Sequence, residues 1–141
     1  MASSTNGEDA LRILVVSVQE QAWKKVSDAL SSTPSRPRLF WVSRPGLALA
    51  GIGESSPHVV LIDNDLGGAD QLALIREVVA DPTVCPAVVA MVEREAMDQA
   101  RAAVLAGARG FVVKPLRADD LQATLEQVLA VRVAPVRREA K

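Results

Sequence analysis

The stretch His58-Val59-Val60-Leu61-Ile62-Asp63-Asn64-Asp65 decides the reading of the fold. Four apolar residues, Val59 to Ile62, follow one another without polar alternation. A run that short and that continuous marks a strand buried on both faces, as in a parallel sheet covered by helices. The acids Asp63 and Asp65 end the run, and Gly67-Gly68 supplies a turn before the next periodic segment.

Outward from this stretch the same unit recurs. Upstream, Ile13-Leu14-Val15-Val16 reads as a first strand, and Ala22, Val26, Ala29 and Leu30 recur at helical spacing. Ser31-Ser32-Thr33-Pro34-Ser35 breaks that helix, Arg38 to Val42 reads as a second strand, and Leu47 to Ile52 as a short helix. Downstream, Leu72, Ile75, Val78 and Val79 mark a third helix, and Pro86 to Val92 a fourth strand. Ala96, Ala100, Ala103 and Val104 stripe a fourth helix, which Gly107 ends as a C-cap. Phe111-Val112-Val113 is a fifth strand. Leu121, Leu125, Val128 and Leu129 stripe the last helix, with Asp119 and Asp120 in its first turn, where the helix dipole favours acids. Strand and helix alternate throughout, which predicts an α/β fold with a doubly wound parallel sheet. Residues 1–11 are expected to be a flexible leader, 12–130 the domain, and 131–141 a tail or linker. That tail carries Arg132, Arg137, Arg138 and Lys141 beside Pro135, and is expected to be solvated.

Composition excludes several classes of function. The chain has 141 residues, 16 basic and 17 acidic, for a formal net charge of -1. That length suits one domain. The balance gives no electrostatic footprint for nucleic acid or an anionic membrane. One Cys (Cys85) and one His (His58) cannot make an internal disulfide or a structural zinc site. No apolar run is long enough to span a bilayer, and the first ten residues are polar rather than signal-like, so a cytoplasmic protein is expected.

In a doubly wound sheet the functional crevice lies at the carboxyl ends of the strands. Those ends are Ser17-Val18-Gln19, Asp63, Met91-Val92 and Lys114-Pro115. Asp63 is a candidate nucleophile or anion, and Lys114 its partner cation. Either residue alone is commonly a solvated strand end; together they are brought to one rim. Other motifs fail. Gly51-Ile52-Gly53 precedes a strand instead of following one and lacks a third glycine, so it is no dinucleotide fingerprint. His58 lies at the far end of its strand from Asp63 and is expected to be a solvated edge residue. Trp23 and Trp41 are expected in the partial core, and Cys85 in a loop or strand start with no redox role.

The chain resembles the receiver domain of two-component response regulators from about Arg12 to Ala130. The resemblance rests on Ile13-Leu14-Val15-Val16, on Val59-Val60-Leu61-Ile62-Asp63, and on Ala106-Gly107-Ala108 followed by Phe111-Val112-Val113-Lys114-Pro115-Leu116. It implies a flavodoxin-like sheet of order 2-1-3-4-5. It places Asp63 at the phosphoacceptor position, Lys114 at the phosphate-contact position, and Met91 and Phe111 at the two switch positions.

The departures from that family are specific. Receivers usually carry two consecutive acids after the first strand that hold Mg²⁺; here stand Ser17 and Val18. Asp65 falls where the family supplies a backbone carbonyl to the metal. Met91 stands where a Thr or Ser hydroxyl usually meets the phosphoryl group. Valine offers no ligand and a neutral hydroxyl is a weak one for a hard cation, so no cofactor is expected, Mg²⁺ included. The resulting expectation is an atypical receiver, not an enzyme, that works as a protein-interaction and dimerisation module with weak or no Mg²⁺-dependent phosphorylation. The alternative is a conventional phosphorelay receiver modified on Asp63 by a histidine kinase. Degenerate receivers of this kind are similar to the N-terminal domain of pilus-assembly and localisation proteins related to MinD ATPases. Expected partners are proteins: a second copy through the fourth helix, fifth strand and fifth helix, a histidine kinase, or a downstream output domain. Leu105, expected to point outward beside a buried Ala100, Ala103 and Val104, and Leu116 nearby, are the candidate interface residues.

Overall fold

The structure is a computed structural model. It describes residues 10–31, 33, 37–81 and 86–140, with residues 68 and 131–140 described through their backbone alone. Strands β1 (Arg12–Val16), β2 (Arg38–Val42), β3 (Val59–Asp63), β4 (Ala87–Glu93) and β5 (Gly110–Lys114) form one parallel sheet of order β2-β1-β3-β4-β5. The helices are α1 (Glu20–Leu30), α2 (Ala48–Ser55), α3 (Gly68–Ala80), α4 (Met97–Ala106) and α5 (Ala118–Ala140). Single 3₁₀ turns, Pro45–Leu47 and Asn64–Leu66, lead from β2 to α2 and from β3 to α3. The doubly wound architecture and its strand order are those expected.

Strand alternation divides the core in two. Ile13 and Val15 of β1, Val59 and Leu61 of β3, Val89 and Met91 of β4, and Val112 of β5 face α1 and α5. There they meet Val26, Ala29 and Leu30 of α1 and Leu121, Leu125 and Val128 of α5. The intervening residues, among them Leu14, Val16, Val60, Ile62, Ala90 and Val92, face α2, α3 and α4. Residues of β3 are buried on both faces, which explains why its sequence is a continuous apolar run and not an alternating one. Each fully buried Val, Leu or Ile contributes about 1.5–3 kcal/mol from lost water contact.

Several expectations need correction. Val79 and Val104, read as parts of buried stripes, are about half exposed. Each follows a truly buried residue, Val78 and Ala103, and a helix turns 100° per residue, so the next position swings out of the contact. Val79 packs elsewhere, since its side chain lies 2.8 Å from where a Cβ on Gly107 would stand. Gly107 has φ +125° and ends α4 by donating to the Val104 carbonyl, so both conformation and space require glycine there. Ala96 precedes α4 rather than striping it. The second helix begins at Ala48, not Leu47, and runs on to Ser55. His58 is not a solvated edge residue: its Nδ1 accepts from the Arg12 N–H at 3.0 Å, giving the first donor of β1 a partner. The backbone of α5 is helical up to Ala140, which leaves the expectation of a tail or linker over 131–141 as it stood. Trp23 and Trp41 pack on the α1/α5 side of the core as expected, with rings stacked at 6.4 Å and 6°. Cys85, residues 1–9 of the expected leader, Ser32, Pro34, Ser35 and Lys141 lie outside the described residues.

Candidate functional site

The same alternation that builds the core aims the polar strand ends. Ser17 continues the Ile13, Val15 face, Asp63 continues Val59, Leu61, and Lys114 continues Val112. All three therefore leave the sheet on the α1/α5 side. Parallel register sets Asp63 opposite Met91, and Glu93 opposite Lys114.

Asp63 is fully buried. Its Oδ1 is ion-paired with Lys114 Nζ, and its Oδ2 lies 3.0 Å from Ser17 Oγ. Glu93 Oε2 stands 3.8 Å from the same ammonium and is half exposed. Burial pushes the Asp63 carboxyl above its ordinary value, and the charge of Asp65 adds to that. The Lys114 ammonium and the Ser17 hydroxyl act in the opposite direction without cancelling it.

Asp65 adjoins this pair, with its carboxylate turned to the first loop. Its own N–H donates to Asp63 Oδ1 at 3.3 Å as the chain turns out of β3. Its carboxylate accepts from the N–H of Val18 and the N–H of Gln19, each at 3.2 Å, and lies 2.8 Å from Ser17 Oγ. The single proton of Ser17 serves Asp63 or Asp65, one at a time. The Val18 side chain is 51% exposed and points no polar atom at the site. Trp41 Nε1 donates to the Ser17 carbonyl at 2.9 Å, which ties the end of β1 to the edge strand.

The remaining predicted residues fall in different places. Met91 is fully buried and belongs to the α1/α5 core. Phe111 packs on the opposite core, half-buried. Leu116 packs against the α1/α5 cluster and lines a cleft of about 380 Å³ beside Lys114, together with Gln21, Lys25, Arg94 and Pro115. Leu105 lies away from this cleft on the outside of α4 and is 83% exposed. Among the described residues, no group of three or more His, Cys, Asp or Glu side chains is placed to hold a metal ion, and no helix is long and apolar enough to cross a membrane.

Two features were missed in the sequence. Glu93 is the first, because β4 extends one residue further than the apolar run that announced it. Gln71 is the second. It is fully buried; its Nε2 donates to the carbonyls of Ile62 (2.8 Å) and Met91 (3.3 Å), and its Oε1 accepts from Gln99 Nε2 at 2.8 Å. It thereby fastens α3 and α4 to the ends of β3 and β4. The signal was present: Gln71 sits at i, i+4, i+7 with Ile75 and Val78, on the buried stripe of α3.

No curated protein gives a significant match to the chain. Among solved structures, the receiver domain of NtrX from Brucella abortus is 30% identical, with a TM-score of 0.73 over 84% of this chain and 98% of that one. The longer NtrX structure from the same organism matches at 29% identity and a TM-score of 0.77, over 93% of this chain and 29% of that one. A CheY-like protein, TadZ, from Pseudomonas aeruginosa PAO1 shares the fold at 20% identity and a TM-score of 0.68, over 84% of this chain and 98% of that one. Residues 13–126 match the family described as response regulator receiver domain. With that match across most of its length, and with its sheet order in agreement, the chain belongs to the response regulator receiver domain family of two-component signalling.

Proposed function

We propose that this receiver is an atypical one: a cytoplasmic protein-interaction module, not an enzyme, whose contacts do not depend on Mg²⁺-driven phosphorylation of Asp63. The observation that carries this reading is the donor set around Asp63. The Val18 side chain has no ligand atom, and the Ser17 side chain offers one neutral hydroxyl. Asp65 has both oxygens engaged by Val18 N–H, Gln19 N–H and Ser17. Asp63 has one oxygen on Lys114. A hard dication with several oxygen ligands does not fit that set. Phosphoryl transfer rests on charge neutralisation and positioning at the acceptor. Without the metal its rate falls steeply, since each ~1.4 kcal/mol of barrier is a factor of ten.

The interaction surface is the outer face of α4. Met97, Val104 and Leu105 are exposed there, and Met97 and Val104 are seven residues apart, so they share one side of the helix. A second copy of the chain docked across α4, β5 and α5 would cover them; a histidine kinase or an output domain is the other class of partner.

The conventional reading has one observation in its favour, the direct pairing of Asp63 with Lys114. Acetyl phosphate with millimolar Mg²⁺ separates the two. The atypical receiver takes up no stoichiometric phosphoryl group; full labelling that disappears in Asp63→Asn overturns it.

A further inference from the structure

The loop after β1 needs something to hold it. Ser17 N–H still finds a sheet partner, the Val42 carbonyl at 3.2 Å. The next two N–H groups, of Val18 and Gln19, have left the ladder, and both turn to the carboxylate of Asp65, that of Gln19 shared with Ser17 Oγ at 3.2 Å. With the Ser17 hydroxyl, three consecutive residues of the β1–α1 loop converge on one side chain of the β3–α3 turn, 46 to 48 positions along the chain. The turn itself is fixed, because Asp65 N–H donates to Asp63 Oδ1. Hydrogen bonds from backbone N–H to an ionised carboxylate are about twice as strong as neutral ones.

In the receiver pattern these same two segments are joined by a cation, with acids on the first loop and a carbonyl on the turn. In this chain the polarity of the join is reversed: donors stand on the first loop and the acid on the turn. We propose that Asp65 is a positioning residue that replaces the metal ion as the tie between the β1–α1 loop and the end of β3, keeping the Asp63–Lys114 pair assembled with no cation. The tie and a metal are alternatives. A cation drawing on Asp65 would take the acceptor of the Val18 N–H and leave the Gln19 N–H with Ser17 Oγ alone. The inference rests on the reading of Ser17 and Val18 as lost metal positions.

The test is residue-resolved amide hydrogen exchange on the full chain, in EDTA, for wild type, Asp65→Ala and Asp65→Asn. In Asp65→Ala the amide of Val18 should exchange about tenfold faster, the equivalent of one lost charge-assisted hydrogen bond, and that of Gln19 by a smaller factor because it keeps Ser17 Oγ. The amides of Val15 and Val16 should shift only with global stability. Asp65→Asn, which keeps one acceptor oxygen, should fall between. Trp fluorescence should change in step, because Trp41 is bonded to the Ser17 carbonyl. Unchanged Val18 and Gln19 exchange in folded Asp65→Ala overturns the tie; if that variant does not fold, Asp65→Asn with wild-type exchange overturns it equally. Millimolar Mg²⁺ on the wild type is read separately. Binding there, with the Asp65 effect intact, sinks the metal-free reading and leaves the tie; no binding and no Asp65 effect does the reverse.

Discussion

Lys114, on the edge strand β5, reaches across the width of β4 to pair with Oδ1 of Asp63 on β3. The pair stands at the rim where three strands end, and burial of the aspartate sets its protonation chemistry.

Asp63 holds its proton more tightly in the fold than in the unfolded chain, because burial outweighs the ammonium. A raised carboxyl stabilises the fold fully below the ordinary value of 3.8, and that contribution is lost as pH rises through the raised folded value. Asp63→Asn cannot ionise. It should therefore melt higher than wild type near neutral pH, and the two should converge below pH 3.8. Melting curves across that range check the sign; a lower melting point for Asp63→Asn at neutral pH would mean that the ion pair outweighs burial.

Met91 occupies a switch position by resemblance, but here it fills the core beneath the cleft. Met91→Ala should cost about 2–5 kcal/mol, the usual range for truncating a buried methionine. Met91→Leu, nearly equal in volume, should cost less than about 1.5 kcal/mol. Urea denaturation midpoints distinguish these from a purely functional role, in which neither substitution would move stability.

Restoring acids in the first loop should create a need for metal. Ser17 Oγ lies 3.0 Å from one carboxylate and 2.8 Å from another. An aspartate there sets three acids together, and like charges about 4 Å apart repel by about 4 kcal/mol at an effective dielectric near 20. Ser17→Asp with Val18→Asp should be markedly less stable than wild type in EDTA and recover on adding Mg²⁺. Thermal melts with and without the ion measure this, and wild-type stability in EDTA would contradict it.

Gln71 is a buried amide with its donors and acceptor all engaged. Gln71→Leu keeps the volume but removes both donors from the Ile62 and Met91 carbonyls. The expected loss is about 1–3 kcal/mol, with faster amide exchange in α4, where Gln99 loses its bond to Gln71 Oε1.

Leu105 exposes most of its surface on α4. Burying it in a two-fold interface would contribute about 1.5–3 kcal/mol per copy. Leu105→Asp should shift a dimer to monomer in sedimentation while circular dichroism stays unchanged. A wild type already monomeric at high micromolar concentration would defeat the dimer reading.

The alternation of strand and helix was legible along the chain, because two-sided burial writes a continuous apolar run such as Val59–Ile62 and one-sided burial writes a helical stripe such as Leu121, Leu125 and Val128. The chain's motifs also marked the polar strand ends, Asp63 and Lys114 among them, since a charged residue closes each apolar run. Tertiary structure alone decided the rest. Whether Val104 or Ala103 faced the core depended on how α4 rotates against the sheet, and both are apolar. His58 gained a partner because β1 lies beside β3 in a register that sets Arg12 next to it. Asp65 became the anchor of the first loop because that register brings residues 17–19 to the end of β3. Periodicity reports which face a residue occupies on its own element. A hydrogen-bond partner 46 positions away is fixed by strand register and by the unsatisfied groups that register leaves, and neither is written locally in the chain.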